Sequence, residues 1–226
     1  MLEKQVADIL VTNNALPKVL LFLTSHFSTS HTRFLQECWP HSIAKSLLLQ
    51  HADVLVLSTG PHNLTILKEV FANNKLVIHD TPNPGYQAGA ILALQLGVKH
   101  KWFNGYDWVI RLNPDVIIRN DTDILANIMN PDVDGIFVNC QRSLPPIIHT
   151  DRHAFRPSAL PAESFIEKKH NNAELDFTEQ VHPILQSERF AWLAGAHPLT
   201  YGICRTEGVV MHNHKYLDKC KSDLQG

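Results

Sequence analysis

Apolar runs of strand length recur along this chain, and a stretch with helical spacing separates most of them from the next. The runs are "KVLLFLTS" (18–25), "ADVLVLST" (52–59), "KLVIHD" (75–80), "DWVIRL" (107–112) and "VDGIFVNC" (133–140). A strand covered on both faces reads as a continuous apolar run, and the helices between the strands must do the covering. The alternation therefore predicts an α/β domain with a mixed central sheet of about six or more strands, flanked by helices.

The intervening segments carry helix signals. Ser28, Thr29 and Ser30 are cap candidates ahead of "HTRFLQECW". One helix is expected over "SIAKSLLLQ" and another over "NLTILKEVFANN", where two asparagines mark the stop. "NPGYQAGAILALQLGV" has Pro84 near its start and an Ala/Leu-rich body, and "NDTDILANIM" reads as a short capped helix. Further on, "HTDRHAFRP" alternates like an edge strand, and residues 162–188 look largely helical with a break at Pro183. "EGVVMHNHK" is expected to be a last short strand, and the tail after Tyr216 is polar.

At 226 residues and 44% hydrophobic, the chain suits one domain over 1–226, with its core at about 17–216. A net charge of -2 and a pI near 6.7 leave no basic footprint, which argues against nucleic acid as a partner. Runs such as "VLLFL" and "VLVL" are too short to span a bilayer. The charged start "MLEKQVADIL" has no signal-peptide core, so the expected location is the cytoplasm, or the host cytoplasm for a viral protein. Cys38, Cys140, Cys204 and Cys220 show no CxxC spacing and are expected to be reduced thiols.

In open α/β sheets, ligands bind beyond the carboxyl ends of the strands. Here those ends carry Thr24 and Ser25, Thr59, Asp80, Asn113 and Asp115, Asn139, and His212 with His214. The segment "RLNPDVIIRN" (111–120) is the most pointed case, because it interrupts two apolar runs with an amide, a proline and a carboxylate. Pro114 holds Asn113 extended, and its own fixed φ sets where Asp115 points. A simple Asx turn is the alternative reading.

"YDWVIRLNPDVIIRN", with the Ala-rich helix before it and the "VDGIFVNC" and "VVMHNHK" strands after it, resembles GT-A nucleotide-sugar glycosyltransferases over about residues 17–216. The likeness is greatest to small virus- or alga-type members such as the chlorella-virus capsid glycosyltransferase domain. It implies a single GT-A, Rossmann-like domain that moves a sugar from a nucleotide diphosphate donor, expected to be a UDP-sugar, to a glycan or glycoprotein acceptor. It also implies that "NPD" stands where the family has its DxD motif, so that Asn113 replaces the first acid. Asp115, Asn113 and His212 or His214 are then the expected metal ligands. Imidazole with carboxylate and phosphate oxygens suits Mn2+, with Mg2+ as the alternative.

On the same resemblance, Thr24, Ser25, Asp80, Gln87, Arg111, Asn113, Asp115 and Lys215 are expected at the donor. Glu174 and Glu179 in "NNAELDFTEQ" are the catalytic candidates. Being five apart on a helix they diverge, so one of them is expected to face the site. Trp192, Gly195 and Ala196 in "FAWLAGA" are expected on the acceptor side. Two other functions fit parts of the chain. His149, Asp151 and His153 in "HTDRH", with the "HNH" histidines, read as the metal centre of a hydrolase or phosphoesterase. A non-catalytic nucleotide-sugar-binding module would keep Asp115 and His212 without a working acceptor side.

Overall fold

The computed structural model describes residues 16–61, 63–138, 147–161, 164–165, 172–193 and 210–212. At its centre lie β1 (Val19–Ser25) and β4 (Trp108–Leu112), both buried along their whole length. Their residues alternate between two cores. Leu21, Leu23, Ile110 and Leu112 belong to one, and Leu20, Phe22 and Val109 to the other. Apolar side chains fill most of both strands towards the two layers; Arg111 in β4 and Thr24 and Ser25 at the end of β1 are the buried polar exceptions.

β2 (Asp53–Ser58) and β3 (Leu76–Asp80) continue the sheet in parallel on one side of β1, and β4 pairs parallel on its other side. β7 (Arg152–Phe155) then runs antiparallel to both β4 and β6 (Gly135–Phe137), and β8 (Phe190–Trp192) closes the far edge. The order is β3-β2-β1-β4-β7-β6-β8, a mixed seven-stranded sheet. β5 (Val116–Ile118) and β9 (Val210–His212) form a separate antiparallel pair.

One face is covered by α1 (Thr29–Glu37), α2 (Trp39–Lys45), α3 (Leu47–His51), α4 (Leu64–Val70) and α6 (Thr122–Met129), through residues such as Phe34, Trp39, Leu49, Leu67 and Leu125. The other is covered by α5 (Tyr86–Lys99), α7 (Ala173–Gln180) and α8 (His182–Gln186), through Ile91, Leu94, Phe177 and Ile184.

Three local expectations are corrected and one is met. "HTDRHAFRP" yields an interior strand, because β7 has a partner on each side. The helix expected over 42–50 is two helices, since Ser46 leaves helical geometry and its hydroxyl accepts from Leu49 N–H to cap α3. The break expected at Pro183 is present: α7 and α8 meet at Val181, with that proline in the first turn of α8. Cys38, fully buried, is disulfide-bonded rather than a free thiol; the other three cysteines lie outside the described residues.

Candidate active site

A cleft of about 530 Å³ opens beyond the carboxyl ends of β1, β2 and β4. This is where the strand order reverses, with β2 on one side of β1 and β4 on the other, so the loops leaving these strands part and expose the strand ends. Its wall includes Thr24, Ser25, Thr59, Arg111, Asn113, Asp115 and Glu174.

The first wall is the turn from β1 into α1. Ser25 Oγ accepts from Phe27 N–H at 2.8 Å and bonds His31 Nδ1 at 2.9 Å. The turn needs left-handed backbone at Phe27 (φ 50°), a conformation that costs a bulky residue energy and that these bonds help to hold. Ser28 is the cap of α1, accepting from His31 N–H at 3.2 Å. Thr59 N–H donates to Ser25 carbonyl at 2.8 Å, drawing in the β2 exit. Gly60 follows because a Cβ there would lie 2.4 Å from the His26 carbonyl oxygen.

Asp115 is the floor. It is fully buried, and its Oδ2 lies 3.6 Å from His31 Nε2. His26 lies tilted against His31, with ring centroids 4.8 Å apart and 55° between the ring planes. Burial, then the His31 imidazole, pushes the His26 pKa down, and the Asp115 charge partly opposes them. β5 begins immediately after Asp115, and in its register with β9 the backbone of His212 faces Val116. His212 is thus set one residue from Asp115 along the pairing, while His214 and Lys215 lie outside the described residues.

The second wall is built on Arg111, only 3% exposed. Its Nη2 donates to Thr24 Oγ1 at 2.6 Å and its Nη1 to the Thr150 carbonyl, and Asp151 Oδ1 lies 4.0 Å away. Burial lowers its pKa, and Asp151, Asp115 and Glu174 oppose that shift. Asn113 joins the same network through Thr24 and Asp151.

The other anticipated residues are distributed less evenly. Glu174, in the first turn of α7, lines the cleft, with its Oε1 3.5 Å from Thr150 Oγ1. Glu179 is exposed and does not line it. Asp80 is exposed in an adjoining hollow that shares Thr59 with the cleft. Gln87 lies in the first turn of α5. Trp192 stands on the edge strand β8, edge-on to Phe190 at 5.2 Å, and packs against the core on that face. Gly195 and Ala196 lie outside the described residues.

The hydrolase triad is not assembled. His149 and Asp151 precede β7, with Nδ1 and Oδ2 3.9 Å apart. His153 is buried, its ring centroid 3.9 Å from that of Phe177. Among the described residues, no three His, Cys, Asp or Glu side chains gather as a metal group. His26, His31 and Asp151 are cleft or near-cleft residues that the strand-end rule did not select. Their one signal was polarity just beyond or before a strand, in "SHFSTSH" and "HTDRH".

A mixed sheet with this order and a cleft at this edge define the GT-A glycosyltransferase fold. Among solved structures, the galactosyltransferase LgtC in complex with donor and acceptor sugar analogues superposes with a TM-score of 0.56 and 9% identity, covering 92% of this chain and 95% of that one. The bifunctional glycosyltransferase WbbM, in its apo form, gives 0.53 and 11%, covering 80% and 39%. S. aureus TarS 1–349 gives 0.52 and 14%, covering 78% and 58%, so this chain spans little more than half of that structure. No protein-family model and no curated protein matches the sequence, and the likeness is one of fold.

Proposed function

We propose that this protein is a glycosyltransferase that takes a sugar from a nucleotide diphosphate donor, a UDP-sugar, and passes it to a glycan or glycoprotein hydroxyl. One observation carries the reading: a buried carboxylate, Asp115, sits at the floor of a cleft at the sheet's topological switch point. A nucleotide lies in this place in many α/β proteins, and the fold is shared with LgtC and with TarS, which has been solved in complex with UDP.

The residues fit a divalent ion on the diphosphate. Asp115 offers a buried charge at the floor of the cleft, and the pairing of β5 with β9 puts His212 beside it in the backbone. Asp115 and His212 would hold the ion, Mn2+ on the preference of mixed nitrogen and oxygen donors, and diphosphate oxygens would complete the set. When bound, such an ion supplies Lewis-acid stabilisation of the leaving diphosphate.

The chain's own groups do the rest. The β1–α1 turn and Thr59 wall the nucleotide side. Arg111 keeps Thr24 and the Thr150 carbonyl fixed, so the wall is organised before the donor arrives. Glu174 lines the same cleft, and in this reading it takes a proton from an acceptor hydroxyl.

Calorimetry with UDP, GDP and CMP, each with and without Mn2+, tests the reading. Metal-dependent binding of UDP is expected, and it should be lost in Asp115→Ala. Binding that is absent, or that ignores the metal, would falsify the proposal.

A further inference from the structure

Position 113 holds an amide where the resembling enzymes carry the first acid of their pair. That amide is fully engaged. Its Nδ2 donates to Asp151 Oδ1 at 2.9 Å, and its Oδ1 accepts from Thr24 Oγ1 at 3.4 Å. The backbone N–H of Asn113 also donates to the Asp151 carbonyl at 3.1 Å. The β4–β7 register ends at Leu112 and Arg152, so residues 113 and 151 face each other one step past the last strand pair. Asp151 lines the same cleft as Asp115, and its side chain is 26% exposed against 1% for Asp115.

We infer that Asp151 supplies the second negative charge of the donor site, replacing the acid missing at position 113, and that Asn113 is the positioning residue that aims it. The inference rests on the donor-site reading above. An aspartate at 113 would set two carboxylates within hydrogen-bond distance, where both cannot ionise without cost. An amide removes that conflict and donates to the remaining carboxylate, which fixes where that carboxylate points. The charge is therefore moved from the end of β4 to the chain entering β7. Arg111 pairs with Asp151 at 4.0 Å, but it and Arg152 are two cations facing three acids, Asp151, Asp115 and Glu174, so negative charge is left over at the cleft. The ligand recognised is a divalent cation together with a nucleoside diphosphate.

The experiment is a charge swap read by calorimetry with UDP and Mn2+, with thermal melts as the check on folding. Asp151→Asn should weaken Mn2+-dependent UDP binding by about 10- to 100-fold, the scale set by losing a group that tunes a metal site. The double variant Asn113→Asp/Asp151→Asn keeps one acid and one amide in the pair and should recover most of that loss. Retained affinity in Asp151→Asn, or a double variant no better than it, overturns the inference. Where Asp151→Asn does not fold, the double variant decides alone: Mn2+-dependent binding supports the relocation and its absence overturns it. If neither variant folds, the acid serves Arg111 rather than the ligand, and the inference is again overturned. A wild-type protein that binds no UDP with Mn2+ is a separate result, which removes the donor-site reading itself.

Discussion

The indole N–H of Trp39 donates to the carbonyl of Pro114 at 2.7 Å, and the pair is buried between α2 and the exit of β4. A proline after a buried strand cannot donate to a sheet ladder, and its carbonyl still needs a partner. Trp39 supplies that partner from another layer, which fixes the peptide that aims Asp115. In Trp39→Phe the carbonyl loses its donor and stability should fall by about 1–3 kcal/mol. Urea denaturation measures the loss, and Mn2+-dependent UDP binding in the same variant should weaken because Asp115 is less well held.

Glu174 and Glu179 lie on the same helix, but only Glu174 reaches the cleft. Glu174→Gln should lower sugar transfer by about 100-fold or more, the usual contribution of a positioned proton acceptor. Glu179→Gln should leave the rate unchanged. Initial rates for the two variants with one donor and one acceptor decide the matter, and equal losses would remove Glu174 from its assigned role.

Arg111 is a buried cation facing Asp151, Asp115 and Glu174. Arg111→Met removes the donors to Thr24 and to the Thr150 carbonyl and leaves the acids without their shared counter-charge. Breaking a buried charged network in this way costs about 3–5 kcal/mol. Chemical denaturation should show that loss, and donor binding should fall because the cleft wall loses its brace.

His153 gives a pH signature. Burial, reinforced by the Arg111 charge, holds its pKa well below the usual imidazole value, so it stays neutral in the folded protein. The unfolded chain takes up that proton below about pH 6.5. Stability is therefore fully present above that pH and falls as pH drops towards the folded-state pKa, at about 1.4 kcal/mol per pH unit for one proton. His153→Phe, packed against Phe155 and Phe177, should flatten this acid limb in melts recorded between pH 7 and pH 5, a range of roughly two units around that value.

Much of the cleft was legible in order. The four parallel strands β1 to β4 stood out because each carries a run of apolar residues, and Thr24, Ser25, Asn113 and Asp115 followed from asking what ends such strands. Less was legible where an element is short or its partners are remote. β8 was not among the expected strands, since a three-residue edge strand has too little periodicity to announce itself. Ser46 split one helix because its side chain found a local cap, a choice that propensity alone does not resolve.

The sequence by itself determined the alternation of strands and helices, the two-sided burial of the central strands and the polar break at Asn113-Pro114-Asp115. These are properties of neighbouring residues, set by periodicity and by proline's fixed φ. Only the tertiary structure decided that His31 stands over Asp115, that Arg111 braces Thr24, and that Asn113 binds Asp151. Those residues meet because strand order and register fold distant segments onto one sheet edge, and long-range pairing leaves no trace in the spacing of either segment.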